Sequence, residues 1–281
     1  MTQQEKAERF RALHQSGCFV IANAWDAGSA RILARQGFQA LATTSAGLAF
    51  MLGRRDGEAA VSRDEAIGNA RDIAAATELP VSADLEDGYG PAPEACAATV
   101  DAAGLAGLCG CTIEDTTGVA ASPLHGFDAA VARVRGAVAA ARALPSPFVL
   151  TARAENFLHG RPDLDDTIRR LTAFAEAGAD CLYAPGLPDM DAIRRVVTAV
   201  APRPVNVLSG PRAGLVPLAA LAEAGVRRVS VGGVLARAAY GQLLTLGPAL
   251  AAGDLPGALG AVPSHAAINE VMPGRETGSR T

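Results

Sequence analysis

The chain has 281 residues and a mass of 28.5 kDa, and 49% of its residues are hydrophobic while 19% are charged. This composition allows a sizeable buried core and excludes a disordered or collagen-like chain. A net charge of −4 lacks the basic profile of proteins that bind nucleic acid or an anionic membrane. Lys6 is the single lysine among 25 basic residues, which disfavours mechanisms that need a buried amine.

The N-terminal segment and the cysteines predict a reduced, cytoplasmic protein. Residues 1–17 are polar and helix-like, without the apolar core of a signal peptide. The longest uncharged run near the C-terminal end, 238–253, is interrupted by Pro248 and is too short to span a bilayer. The five cysteines are odd in number and form no CxxC pair. We therefore expect no membrane partner and no nucleic-acid partner.

Short β-rich runs alternate with stretches of helical period along the chain. There are eight such runs: 19–24, 40–45, 80–86, 108–115, 148–155, 180–186, 204–210 and 227–233. Eight βα repeats without a compositional break predict one (β/α)₈ TIM barrel domain over 1–281, with the barrel core at about 18–240 and a C-terminal helix and tail at about 254–281. A doubly wound open sheet is the alternative, but no GxGxxG motif follows the first strand.

Polar side chains gather at the ends of the predicted strands, where TIM barrels carry their active sites. Because side chains alternate along a strand, one face of the third strand carries Asp84 and Glu86. The corresponding face of the fourth strand carries Glu114, and that of the fifth carries Arg153. If these faces point inward, three carboxylates and one guanidinium converge at the mouth of the barrel.

Carboxylates packed together repel one another unless a cation or protons neutralise them. An oxygen-only donor set without a His or Cys cluster favours Mg²⁺ or Mn²⁺ over zinc. Because Mg²⁺ usually keeps several waters, we expect Asp84 to bind it directly while Glu86 and Glu114 hold its waters. Arg153 offers a planar fork for a carboxylate or phosphonate group. The alternative is that the acids are helix caps and ion-pair partners of the abundant arginines.

Four strings of the sequence, NAWDAGSARILARQGFQALATTSAG, ADLEDGYG, TIED and TARAENF, resemble the isocitrate lyase/phosphoenolpyruvate mutase superfamily in their order and spacing. The similarity covers about residues 18–240. The resemblance implies a (β/α)₈ barrel that assembles as a homotetramer, with a C-terminal helix exchanged between subunits. The segment from about residue 254, which contains SHAAINEVM, is the candidate for that helix.

The resemblance also implies roles for individual residues. Asp56 matches an acidic residue that mutase-like members use near the substrate. The other matching positions are Ser45, Ala46 and Gly47 for the substrate carboxylate, Asp84, Glu86 and Glu114 for the metal, and Arg153, Asn206 and Arg237 for the substrate.

The chain departs from the superfamily pattern in three loops. The C–C lyases carry K-[KR]-C-G-H after the fourth strand, whereas this loop reads EDTTGVAASPLHGFD and offers only His125. The glutamate that the lyases carry after the sixth strand is replaced by the segment 184–186, and the PKxNS-like loop of the mutases is missing. Isocitrate or methylisocitrate cleavage by the usual mechanism is therefore not expected.

The first functional hypothesis is a Mg²⁺-dependent lyase that cleaves or decarboxylates a small 2-oxo or 2-hydroxy acid, similar to oxaloacetate or an alkylmalate, through an enolate. The candidate proton donors are Asp56, His125 and a metal-bound water. The second hypothesis is a C–P mutase or hydrolase that acts on phosphonopyruvate or carboxyphosphonoenolpyruvate. The third is an inactive barrel that only binds an oxo-acid, which the presence of all four mouth residues disfavours.

Overall fold

The computed structural model describes residues 1–211 and 215–272, and its eight parallel strands form a closed barrel. Each strand pairs with the next in the chain, and the eighth pairs with the first. The strands are β1 Phe19–Asn23, β2 Leu41–Ala42, β3 Val81–Asp84, β4 Gly110–Glu114, β5 Val149–Arg153, β6 Cys181–Tyr183, β7 Val205–Leu208 and β8 Arg228–Ser230. The TIM-barrel prediction is confirmed, and the open-sheet alternative is wrong.

Helices follow the strands, and one helix precedes the first strand. They are α1 Gln3–Leu13, α2 Ala27–Ala34, α3 Ser45–Met51, α4 Arg63–Ala75, α5 Pro93–Leu105, α6 Phe127–Ala143, α7 Leu164–Glu176, α8 Met190–Val200, α9 Leu218–Glu223, α10 Val234–Ala251, α11 Leu255–Leu259 and α12 His265–Glu270. Several begin at side-chain caps of the expected kind. Asp26, for example, accepts a hydrogen bond from the backbone N–H of Ser29 at 2.6 Å, so this strand-end acid caps α2.

The hydrophobic core consists of three clusters. Two lie between the barrel and the surrounding helices, and the third lies at the amino end of the barrel. The outward side chains of β3 and β4 pack with α4 and α5, and those of β5 to β8 pack with α6, α7 and α8. At the amino ends of the strands, Phe10 of α1 is fully buried among Phe19, Ile21 and Val149. The helix α1 therefore closes the amino end of the barrel, and the interior opens at the carboxyl ends of the strands.

The C-terminal helices leave a large apolar surface uncovered. Leu244 of α10 is 80% exposed, and Leu243, Leu255, Leu259 and Ile268 are also exposed. None of the helices within 1–211 and 215–272 combines the length and hydropathy of a membrane span. The division of the chain into a barrel core and a C-terminal helix and tail stays a prediction, and residues 273–281 of that tail lie outside the described residues.

Candidate active site

Arg153, the last residue of β5, lies among three carboxylates at the mouth of the barrel. Its Nη1 atom is 3.0 Å from Asp84 Oδ1 and 3.1 Å from Glu114 Oε2, and its Nε donates to Glu155 Oε1 at 2.9 Å. The guanidinium also lies over the ring of Tyr183, 4.9 Å from the ring centroid. The convergence expected from strand alternation is therefore present for Asp84, Glu114 and Arg153, and one positive charge faces three negative ones.

Asp84 is held by donors from the start of α3 and from the strands β4 and β5. Its Oδ2 accepts from the backbone N–H and the hydroxyl of Ser45 at 3.2 and 2.9 Å, and its Oδ1 accepts from the Thr112 hydroxyl at 3.1 Å as well as from Arg153. Ser45, predicted to hold the substrate carboxylate, begins α3 and orients this acid. Four donors on two oxygens fix the position of the Asp84 carboxylate.

Glu86 lies two residues beyond the end of β3. Its backbone has a left-handed conformation, with φ 46°, which is unfavourable for residues other than glycine. Burial and the nearby charges of Asp84 and Glu114 raise the pKa of Glu86 to about 8. Burial also raises the pKa of Glu114, although Arg153 opposes that shift. Burial is the main cause of both shifts, and the neighbouring carboxylates add to it.

The donor chemistry of this cluster suits a hard divalent cation, since its ligand atoms are carboxylate oxygens. Arg153 Nη1, however, already bridges Asp84 and Glu114, the first and third predicted metal ligands. Across the described residues, no group of three or more His, Cys, Asp or Glu side chains is arranged to hold a metal ion as it stands. The residues therefore fit the cation in chemistry, while Arg153 occupies one oxygen of Asp84 and one of Glu114 in this arrangement.

A cavity of about 970 Å³ lies above this cluster. Asp56 lines it at a solvent-exposed position, and partial desolvation together with the charge of Asp84 raises the pKa of Asp56. His159 of the loop after β5 also lines the cavity, although nothing in the sequence distinguished it from a surface histidine. His125 is not among the lining residues; its Nε2 is buried without a hydrogen-bond partner, and burial lowers its pKa.

A smaller cavity of about 190 Å³, which we call the deep cavity, continues into the barrel interior and shares Ser45, Asp56 and Arg153 with the larger one. Asn206 and Ala46 line it, and their substrate-binding role stays a prediction. Two lining residues, Arg228 and Tyr183, had no counterpart in the sequence-based prediction. The members common to both cavities show that the two spaces adjoin at the acid cluster.

Two predicted substrate-binding residues lie outside both cavities. Arg237 is on the exposed face of α10. Gly47 is buried, and a Cβ atom there would come within 2.6 Å of Thr44 Cγ2 and 2.8 Å of Trp25 Cβ. Glycine at position 47 is thus explained by the close packing of α3 against Trp25 in the loop after β1.

The closed barrel, with an acidic cavity of ligand size at the carboxyl ends of its strands, defines a (β/α)₈ enzyme. Residues 10–248 match the family model described as phosphoenolpyruvate phosphomutase, and the chain belongs to this family of the isocitrate lyase/phosphoenolpyruvate mutase superfamily. The resemblance seen in the sequence is confirmed.

Three similar proteins illustrate the range of this family. The crystal structure of a putative lyase/mutase from Burkholderia cenocepacia J2315 is 52% identical, with a TM-score of 0.91 and 95% of each chain covered. A probable 2-methylisocitrate lyase 2 of Corynebacterium glutamicum is 30% identical over 76% of this chain and 70% of that protein. An oxaloacetate decarboxylase of Chromohalobacter salexigens is 29% identical over 81% and 79%. These relatives support a lyase-type reaction.

Proposed function

We propose that this protein is a divalent-metal-dependent lyase that breaks a bond at C3 of a small 2-oxo or 2-hydroxy dicarboxylic acid, such as oxaloacetate or an alkylmalate, and leaves an enolate. The observation that carries the proposal is the position of Arg153, shared between Asp84, Glu114 and Glu155 beside the large cavity. The names of the relatives, a 2-methylisocitrate lyase and an oxaloacetate decarboxylase, agree with such substrates.

Asp84, Glu86 and Glu114 are the residues that would hold Mg²⁺ or Mn²⁺. Members of the superfamily use a divalent metal, and the burial and neighbouring carboxylates that together raise the pKa of Glu86 support a cation here. When bound, the metal supplies a Lewis acid that stabilises negative charge on the substrate oxygens. In the proposed mechanism Arg153 pairs with the substrate carboxylate or the developing enolate oxygen through its planar fork.

The proton that the enolate needs must come from an oxygen acid or an imidazole. Four of the five cysteines, at positions 96, 109, 111 and 181, are buried in the protein core, and Cys18 is half-buried and does not line either cavity. Asp56 lines both cavities, and partial desolvation and the charge of Asp84 raise its pKa. We therefore propose Asp56 as the proton donor, whereas His125, the other candidate side chain, lines neither cavity.

The proposal is tested by a substrate comparison with the purified protein in the presence of Mg²⁺. Pyruvate release is measured from oxaloacetate and from a series of alkylmalates, and phosphate release is measured from phosphonopyruvate. Turnover of the first group that stops on addition of EDTA and returns with Mg²⁺ is the expected result. Phosphate release alone would assign the protein to the C–P branch, and binding of oxalate without any turnover would make it an oxo-acid-binding barrel.

We also propose that the protein is a homotetramer that exchanges its C-terminal helices. The uncovered leucines of α10 and α11, among them Leu244 and Leu255, support this assembly because so large an apolar surface is unusual on a monomer. Light scattering after gel filtration should give four times the chain mass. Deletion of residues 254–281 should reduce the number of subunits in the particle to fewer than four. A monomeric full-length protein would contradict the proposal.

A further inference from the structure

Arg228, the first residue of β8, lies inside the barrel without an acidic partner. The residue is 3% exposed. Its Nε donates to Asn206 Oδ1 at 2.8 Å, its Nη2 donates to the Thr151 hydroxyl at 3.0 Å, and its Nη1 lies 3.2 Å from His14 Nε2. No carboxylate of residues 1–211 or 215–272 forms a salt bridge with this guanidinium. The guanidinium is therefore hydrogen-bonded, but no negatively charged side chain offsets its positive charge.

His14 provides no compensation, because it is neutral. Burial and the adjacent charge of Arg228 lower the pKa of His14 to about 3. Its Nδ1 lies 2.8 Å from the Phe10 carbonyl oxygen, which can only accept, so the proton is on Nδ1 and Nε2 accepts from Arg228. The three groups that contact Arg228 are thus a neutral imidazole, an amide oxygen and a hydroxyl.

The guanidinium also retains unused donors beside an open space. A guanidinium has five N–H groups, and three of these have partners here, which leaves two. Arg228 lines the deep cavity of about 190 Å³, and the Ser230 hydroxyl and the Asn206 side chain line it as well. A buried charge is strongly disfavoured unless an opposite charge accompanies it. The deep cavity has both the room and the donors for such a counter-charge.

We propose that the deep cavity binds a small monoanion on the guanidinium of Arg228, either a carboxylate group or an inorganic ion such as chloride. Two sources can provide this chemistry. One is the second carboxylate of a dicarboxylate substrate held at the acid cluster, and this form rests on the proposed function. The other is a free inorganic anion that stays in the barrel interior, and this form is independent of the reaction. In both forms the cavity is occupied by negative charge at its Arg228 end.

The anion site is tested on the full-length protein without any assay of turnover. Thermal unfolding is followed while chloride replaces a sulfonate buffer anion, MOPS, at constant ionic strength, because this reference anion carries no carboxylate group. We expect the midpoint to rise by about 2–4 °C and to saturate. Crystals soaked in bromide should show an anomalous peak next to Arg228. Absence of both the chloride-specific rise and the bromide peak would overturn the proposal.

Two variants identify the residue responsible. Arg228→Met should abolish the chloride-specific rise, whereas Arg227→Met, which removes a neighbouring surface arginine, should retain it. An equal chloride response in Arg228→Met and in the parent would contradict the assignment. Because Arg228→Met also removes three hydrogen bonds, Arg228→Lys serves as a second variant that keeps the charge, and it should keep part of the response. The bromide peak in the parent protein does not depend on how either variant folds.

The source of the anion is resolved by steady-state kinetics with oxaloacetate. If the substrate's second carboxylate occupies the site, 0.2 M chloride should raise KM about threefold or more and leave kcat unchanged, since the two anions compete. An unchanged KM together with a bromide peak identifies a resident inorganic ion. Failure of the proposed lyase activity would remove this kinetic comparison but would leave the bromide and stability results as they stand, so the two proposals fail separately.

Discussion

The two ends of the barrel interior carry opposite charges. At the mouth, Asp84, Glu114 and Glu155 share the single guanidinium of Arg153, and Glu86 adds a further acid. At the floor, Arg228 is surrounded by neutral acceptors. Both regions are enclosed by the same eight strands, so the difference arises from which side chains stand at the strand ends and which stand at the strand starts. The interior is therefore polarised along its axis.

This difference has a consequence for what each end can hold. An excess of carboxylates is relieved by a cation or by protons, and the raised pKa of Glu86 is the sign of that excess. An isolated guanidinium is relieved only by an anion, because arginine does not lose its proton in proteins. A molecule with a metal-chelating end and a carboxylate end would match both regions at once. The predictions below test each end separately.

The largest effect is expected at the mouth, from Asp84→Asn. This change removes one carboxylate charge and leaves a similar shape, and we expect kcat/KM to fall roughly 1,000-fold, or about 4 kcal/mol at ~1.4 kcal/mol per decade. Circular dichroism checks that the variant is folded. Asp26→Asn is the matched control, because Asp26 is also a strand-end acid but caps α2 outside both cavities. Similar losses in the two variants would mean that Asp84 has no special role.

A smaller loss, of about 100-fold in kcat/KM, is expected from Arg153→Lys. Lysine keeps the positive charge between Asp84 and Glu114 but cannot provide two parallel donors or stack on Tyr183 in the same way. The loss should appear in both kcat and KM, since the residue is proposed to bind the substrate and to stabilise the enolate. Unchanged kinetic constants would show that Arg153 serves only to neutralise its neighbours.

At the floor, acid should unfold the protein through His14. The pKa of His14 is about 3 in the folded protein and near 6.5 when unfolded, so its contribution is fully present above pH 6.5 and is lost as the pH falls towards 3. Between pH 6.5 and 4 this amounts to about 3 kcal/mol. Urea unfolding at a series of pH values should show a flatter profile for His14→Asn than for the parent. His265→Asn, at an exposed position, should keep the parent's profile.

The smallest effect is expected outside the two cavities, from Gly47→Ala in α3. The added methyl group would overlap Thr44 and Trp25, and we expect a loss of about 1–3 kcal/mol in the free energy of unfolding. Gly68→Ala is the matched control, because Gly68 lies inside α4 with open space around its Cβ position, and there alanine should stabilise by about 0.5–1 kcal/mol. Equal stability of the two variants would contradict the packing explanation of Gly47.

The mouth could be predicted from the sequence because it follows regular rules. Strand alternation placed Asp84, Glu114 and Arg153 on inward faces, and the strand order brought them together. Strand alternation also predicted the position of Glu86, but β3 ends at Asp84 and the backbone at Glu86 has φ 46°. The position of Glu86 therefore depends on a loop conformation and not on strand alternation. The loops after β4 and β5 have no period, and the sequence therefore predicted His125 as a candidate proton donor, whereas His159 is the histidine that lines the large cavity.

The floor could not be predicted. Arg228 stands at the start of a strand in the string RRVSVGG, where a charged residue is usually exposed to solvent. Its partner His14 is 214 positions away in the chain, at the end of α1. The sequence predicted a helix there but not its contact with the eighth strand. Arg237, by contrast, matched a family position and yet lies on the outside of α10. Sequence spacing therefore located the strand ends, whereas the contacts across the barrel axis required the three-dimensional structure.

The helix α1, which seals the base of the barrel with Phe10 and His14, makes the interior a blind channel. Because the two cavities adjoin at the acid cluster, a ligand that fills the large cavity would obstruct one route between Arg228 and solvent. If a free inorganic ion occupies the Arg228 end, a larger ligand bound at the mouth should slow its exchange. Rapid-mixing experiments with reversed orders of addition would then show unequal rates.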